Sequence, residues 1–287
     1  MKAVPTRPNR FVLLAAAGLI LLTVPGAIAA ENASAWDRDL HAGVRLIAGS
    51  KLPDGVRRAG LEIQLDPGWH TYWRYPGDAG VPPHFDFSAS DNVKDVQVLW
   101  PAPRRLLAGG STSIGYENEL VLPLRVTPRD PAKPAVLRLK LDYAICEKLC
   151  VPAAGKAELA LPGAPSPHDA RLNAAEALVP KPTKLGADAP LAIRTVRREP
   201  GTPRARVVVD VAAPSGVGPP GLDLFAEGPT SDWALPVPTP VPGAPAGLQR
   251  FTFEIDGVPP GAKQDGVALK LTAVAGASAI EVTATPE

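Results

Sequence analysis

An all-β fold is what this sequence predicts, a larger β-sandwich followed by a second, smaller one, and three observations carry it. Short segments with apolar residues at every second position recur along most of the chain. They are separated by turn-forming residues, with 35 prolines and 26 glycines in the 287 positions, a composition that favours turns and strand edges over long helices. One stretch, from Pro162 to Pro190, loses the alternation and divides the segments into two sets.

The first set runs through "GVRLIAG" (43–49), "AGLEIQL" (59–65), "HTYWRY" (70–75), "VKDVQVLW" (93–100), "ELVLPLRV" (119–126), "AVLRLKLDYAI" (135–145) and "KAELAL" (156–161). Period-two alternation bounded by Gly, Pro and Asp predicts half-buried antiparallel strands. This number of strands over residues 30–162 predicts an immunoglobulin-like sandwich, by architecture only, since the cysteine spacing of antibody domains is absent. Residues 163–190 are Pro- and Ala-rich and read as a linker holding one short helix, from Asp169 to Val179. The second set opens at "LAIRTVRRE" (191–199), continues through "RARVVVDVAA" (204–213), "GLDLFAE" (221–227), "RFTFEIDG" (250–257) and "VALKLTAVAG" (267–276), and ends at "AIEVTAT" (279–285). Residues 191–287 are therefore expected to form the second sandwich, with the proline-rich Trp233–Gly243 stretch at an edge or in a loop. This part contains neither cysteine nor histidine, so a supporting or docking role is expected of it.

Residues 1–29 have the layout of a secretory signal peptide. Lys2, Arg7 and Arg10 precede an apolar run from Phe11 to Val24, and "AIA" (27–29) offers small residues for cleavage before Ala30. No cysteine stands at the junction to carry a lipid. The charge is balanced, 30 basic against 29 acidic residues, which gives no electrostatic case for a nucleic-acid partner or a membrane surface. Neither a nucleophile elbow nor a phosphate-cradling glycine loop is present, so no small-molecule substrate is expected.

The only two cysteines lie in "YAICEKLCVP" (143–152). In an exported protein such a pair is normally oxidised unless reducing power keeps it open. An extended chain would hold Cys146 and Cys150 about 13 Å apart at about 3.3 Å per residue. A disulfide needs α-carbons within about 7 Å, so "EKL" must form a turn that sets the cysteines opposite one another. A bridge closing so short a loop stabilises by about 2 kcal/mol, against about 4.7 kcal/mol for a hundred-residue loop. Redox exchange is therefore favoured over a local staple or metal binding. Thiolates could bind copper(I) or zinc with His70 or His84. However, the four histidines (His41, His70, His84, His168) are scattered, each read as a surface or loop residue, and the single methionine is Met1. No metal and no cofactor is expected. Lys148 can lower the pKa of a neighbouring thiol, but the residues alone do not single out the attacking cysteine.

Four motifs occur in one order: "GWHTYWRYPGDAGVPPHFDF" (68–87), "VLWPAPRR" (98–105), "IGYENELVLPLRV" (114–126) and "LDYAICEKLCVP" (141–152). Together they resemble the periplasmic N-terminal region of the thiol:disulfide interchange protein DsbD, and more closely that of its ScsB-type relatives, which are linked to copper tolerance. The resemblance covers residues 40–162 well and the second half loosely. It implies a periplasmic immunoglobulin-like domain whose Cys146 and Cys150 take electrons from a membrane-embedded thiol reductase and pass them to thioredoxin-like proteins. It also implies a loop that shields the pair until a partner docks. Here that loop would be Gly115–Glu119, with Tyr116 in place of the family's phenylalanine, Glu117 beside it, and Tyr72 lining the same pocket. Trp69, Tyr72, Trp73 and Trp100 can equally be read as sandwich packing. The sequence ends at Glu287 with neither a membrane nor a thioredoxin-like domain, so electrons are expected from a separate protein. The rival reading is a non-catalytic interaction module whose disulfide pins a hairpin. A staple of that kind should have a reduction potential below about −300 mV, and an exchange site a higher one.

Overall fold

A computed structural model describes residues 1–3, 32–108, 111–201, 204–218 and 221–287. Residues 4–31, which carry most of the signal-peptide reading, lie outside them. Alternation becomes strand wherever it was read, and several short strands join at the edges. The first half contains β1 (Asp37–Asp39), β2 (Ala42–Lys51), β3 (Arg57–Leu65), β4 (His70–Gly77), β5 (His84–Asp86) and β6 (Val93–Val98). It continues with β7 (Arg104–Ala108), β8 (Ser111–Glu117), β9 (Glu119–Pro128), β10 (Ala135–Cys146) and β11 (Cys150–Leu161). One sheet has the order β1-β2-β3-β9-β6, and the other β11-β10-β4-β8-β7, with β5 also paired to β10. Leu46, Leu61, Leu122 and Leu124 of the first sheet and Leu137, Leu139 and Leu141 of the second are all buried in the core. Each such side chain contributes about 1.5–3 kcal/mol through the water it leaves. The alternation of β10 thus points Leu137, Leu139, Leu141, Tyr143 and Ile145 inward.

The second half contains α1 (Asp169–Ala177), β12 (Lys181–Pro182), β13 (Ala192–Glu199), β14 (Arg206–Ala212), β15 (Leu222–Glu227), β16 (Thr239–Val241), β17 (Leu248–Glu254), β18 (Leu269–Ala275) and β19 (Ser278–Ala284). Two four-stranded sheets, β12-β19-β18-β15 and β13-β14-β17-β16, form the second sandwich. Among the described strands only β12 and β19 pair in parallel. The proline-rich β16 is an edge strand, as a missing ladder donor requires. The whole is an all-β fold with an immunoglobulin-like first half and one short helix.

The helix of the Pro162–Pro190 segment is seated on the first sandwich, while β12 at its far end joins the second. Leu172 of α1 is fully buried against Gly49 and Gly60, where a Cβ would stand 2.6 and 2.7 Å from its methyl carbons. A side chain at either position would force Leu172 to shift. Arg58, buried under the helix, donates from Nε to Glu176 at 3.0 Å and from Nη1 to Asp169 at 3.3 Å, and Arg125 donates to Glu176 at 2.7 Å. Burial alone would raise the Asp169 and Glu176 carboxyls. Hydrogen bonds from Ser50 and Ser166 to the former, and from Arg125 and Arg58 to the latter, outweigh it and hold both below the ordinary range. The seat of α1 bears on where a fragment of the first half can end. One ending at residue 162 discards Leu172 and is expected to be less stable, by about 2–5 kcal/mol, than one ending at residue 180. Urea unfolding of the two fragments measures the difference, and equal midpoints would show that α1 contributes nothing.

The two halves also share a core. Trp73 of β4 is fully buried with its ring 5.9 Å from that of Phe225 in β15. The Tyr75 hydroxyl donates to the Leu235 carbonyl at 3.0 Å, and Arg105 donates to Asp223 at 3.0 Å. Burial drives the Tyr75 phenol far up.

Candidate functional site

The hairpin β10–β11 is in register from Ala135 opposite Leu161 to Cys146 opposite Cys150, so Glu147, Lys148 and Leu149 make the turn. The cysteine α-carbons are 4.1 Å apart and the sulfurs are bonded. The two sulfurs meet different surroundings. Cys146 is 4% exposed, whereas Cys150 is on the surface beside Leu149, which is 78% exposed. Of the two cysteines, Cys150 is the one open to solvent.

Strand order decides what surrounds the pair. On one side of β4 lies β10, with Ile145 opposite Thr71 and Cys146 opposite His70. On the other lies β8, with His70 opposite Glu117, Thr71 opposite Tyr116 and Tyr72 opposite Gly115. Directly opposed residues share a face of the sheet, and successive residues alternate. Cys146, His70, Tyr72 and Glu117 therefore stand on the outer face. Ile145, Thr71 and Tyr116 stand on the inner one. Tyr72, Ala144 and Cys146 form a small buried cluster separate from the main core. Gly80, at φ +130, passes over Tyr72 so closely that a Cβ there would lie 2.4 Å from the ring. Beneath it the Tyr72 hydroxyl donates to Cys150 Sγ at 3.0 Å. Burial raises the Tyr72 phenol, which keeps the donor protonated.

The expectation placed on Tyr116 does not fit its position. Gly115–Glu119 is no loop over the disulfide: it is the end of β8, a one-residue crossing to the other sheet at Asn118 (φ 63), and the start of β9. Tyr116 turns into the core, donates to the Pro101 carbonyl at 2.7 Å, and has its phenol driven well up by burial. A side chain on the inner face cannot cover sulfurs on the outer one. Glu117 is exposed on the outer face, two strands from Cys146. Trp73 is core, and Trp69 and Trp100 pack against the core margin, the first stacked on His41 at 4.2 Å and the second edge-on to Phe85 at 5.8 Å.

His70 corrects the surface reading given to the histidines: it opens β4 and is buried, 6% exposed. Burial lowers its pKa, with the Glu117 charge acting in the opposite sense. Its place next to Cys146 was visible only in part, since "HTYWRY" shows that His70 and Tyr72 share a face but not which strand lies alongside. Among the described residues no group of three or more His, Cys, Asp or Glu side chains is placed to hold a metal ion. Among the same residues no helix is long and apolar enough to cross a membrane.

Comparison with known proteins gives two likenesses. Residues 44–162 match the family model described as thiol:disulfide interchange protein DsbD, N-terminal, a match that contains both cysteines. The crystal structure of the N-terminal periplasmic domain of ScsB from Proteus mirabilis is similar in fold, with a TM-score of 0.69 and 24% identity over 89% of this chain and 98% of that one. This likeness extends well past residue 162 and therefore takes in the second half. No curated protein matches the chain.

Proposed function

We propose that this chain is a periplasmic thiol:disulfide exchange module that passes electrons through Cys146 and Cys150 to thioredoxin-like proteins and is re-reduced by a separate membrane-embedded thiol reductase. The observation that carries the reading is the asymmetry of the bridge: one sulfur exposed and held by Tyr72, the other buried behind it, in the segment that matches the interchange family. The periplasmic setting follows the location named for the similar ScsB domain.

In the reduced protein the Cys150 thiolate attacks the partner disulfide and forms a mixed disulfide, with one partner sulfur leaving as thiolate. The Cys146 sulfur then attacks Cys150 Sγ, the intermolecular S–S bond breaks, and the partner leaves with both electrons. The Tyr72 hydroxyl, already on Cys150 Sγ, is placed to donate to the thiolate whenever the bridge is open. Leu149, apolar and exposed beside the reactive sulfur, and Glu117 on the same face give a docking partner something to bind.

Single cysteine variants test the proposal. Cys146→Ala should accumulate a reductant-sensitive adduct with a purified thioredoxin-like protein, through the accessible Cys150. Cys150→Ala keeps only the buried sulfur and should trap on the order of tenfold less, as access controls exchange. Both variants should stay folded, since the bridge closes a short loop and contributes about 2 kcal/mol at most. If neither variant forms an adduct, the disulfide is a pin in an interaction module.

A further inference from the structure

The outer face of β4 holds a group that the exchange scheme above does not use. His70 Nε2 is buried and has no hydrogen-bond partner while the disulfide is closed. Buried polar nitrogens are nearly always paired, so an unpaired one calls for an explanation in function or in another state of the molecule. Its neighbours are few. Cys146 is directly opposite on β10, Glu117 directly opposite on β8, and Tyr72 stands edge-on to the ring on β4 itself, with ring centroids 5.5 Å apart. From the β10–β11 turn Glu147 reaches toward the start of β4, its Cγ lying 3.8 Å from where a Cβ on Gly68 would stand. Side chains directly opposite on adjacent strands have Cβ atoms about 4.5–5.5 Å apart. The imidazole is therefore within reach of the Cys146 sulfur. In the oxidised protein that sulfur is bonded and offers the nitrogen little; in the reduced protein it carries a proton.

We propose that His70 is the base for the resolving step, accepting the Cys146 thiol proton at Nε2 as the Cys146 sulfur attacks Cys150. The proposal rests on the exchange reading of the disulfide and adds a residue that the reading lacks. A thiol set among apolar groups resists ionisation, and Cys146 sits between Ala144 and Tyr72. The mixed disulfide would then resolve slowly unless something takes the proton. Burial keeps His70 neutral, and in its Nδ1–H tautomer Nε2 presents a free lone pair. Glu117 across the strand favours the imidazolium that forms. The step balances without another reactant. The Cys146 S–H bond gives its proton to Nε2, the new Cys146–Cys150 bond forms, the Cys150–partner bond breaks, and the departing partner thiolate takes the proton from the imidazolium.

The test isolates this step from any protein partner. Reduced protein is mixed with 5,5′-dithiobis(2-nitrobenzoate). Attack by Cys150 releases the first nitrothiobenzoate, and resolution by Cys146 releases the second, which is timed by its absorbance across a pH series. His70→Gln keeps polarity and His70→Phe keeps a ring, and either, if folded by circular dichroism, suffices. At about pH 7 the variant should release the second thiolate at least about tenfold more slowly than the parent. Its rate should climb with pH as Cys146 ionises unaided, meeting the parent rate above about pH 9. An equal loss at every pH would make His70 a packing residue, and an unchanged rate would leave it without a role; both overturn the proposal. Because the probe is a small disulfide, a failure here is separable from a failure to trap a thioredoxin-like protein.

Discussion

Trp73→Ala is expected to destabilise the chain by about 3–5 kcal/mol, the range for removing a large aromatic side chain from a packed core. Trp73 is fully exposed to neighbours and not to water: Phe225 from the second sandwich lies on one side and the guanidinium of Arg74 stacks over the ring at 4.5 Å. The lost contacts span both halves, so the effect should not be confined to one of them. Phe225→Ala should produce a loss of the same kind, and the double variant should lose less than the sum, because the two rings share one contact. Urea unfolding followed by circular dichroism gives the three values. Strict additivity, or a loss under about 1 kcal/mol for Trp73→Ala, would mean that the halves stand side by side without sharing a core.

What the sequence shows and what it hides follows from the range of the interactions involved. Period-two alternation is local, so Leu137 through Ile145 announce the inner face of β10, and with that the outer position of Cys146. The hairpin is local too: two cysteines that must meet across "EKL" fix the register that the structure has. Strand order is not local. Tyr116 and Cys146 could share a face only if an intervening strand had the right register, and that register comes from β4, some forty residues before Tyr116 by position in the numbering. The segment that carries Tyr116, "STSIGYE", has too few apolar residues to announce a strand, so nothing local corrects the loop that the family resemblance implies. His70 is hidden for the same reason: a histidine in "HTYWRY" says nothing about its partner until β10 is known to lie beside β4. The seat of α1 is equally distant, built by Arg58 reaching residues more than a hundred positions later. An Ala-rich stretch flanked by prolines reads as a linker because the groups that hold it are elsewhere in the chain. Short edge strands such as β1, β5, β7 and β12 escape because two to five residues cannot display a period.

Removing Arg74, a cation that joins the halves, should cost about as much as removing Trp73, with a pH signature that packing lacks. Arg74 donates from Nε and Nη2 to both oxygens of Glu227, at 2.9 and 2.7 Å, and from Nη2 to Glu281 at 2.5 Å. Burial alone would lower the Arg74 pKa, but the two carboxylates outweigh it and raise it, so the guanidinium stays charged at any working pH. Arg74→Ala leaves both carboxylates part-buried, with Lys270 reaching only Glu281, at 3.7 Å. Breaking a buried ion pair from one side costs about 3–5 kcal/mol, mainly because the stranded charge is neither solvated nor paired. The incomplete burial here places the expectation at the lower end. Protonation relieves a stranded carboxylate. In the variant, then, binding a proton is favoured by the folded state, and the deficit relative to the parent should be largest near neutrality and shrink as pH falls through the carboxylate range, about 4–5. Removing one of the charges as well, in Arg74→Ala with Glu227→Gln, should recover part of the loss at neutral pH and flatten the dependence. Urea midpoints of parent, single and double variants at several pH values supply the comparison. A deficit that stays constant with pH would assign the cost to the lost stacking of Arg74 on Trp73 and leave the charges at the junction without energetic weight.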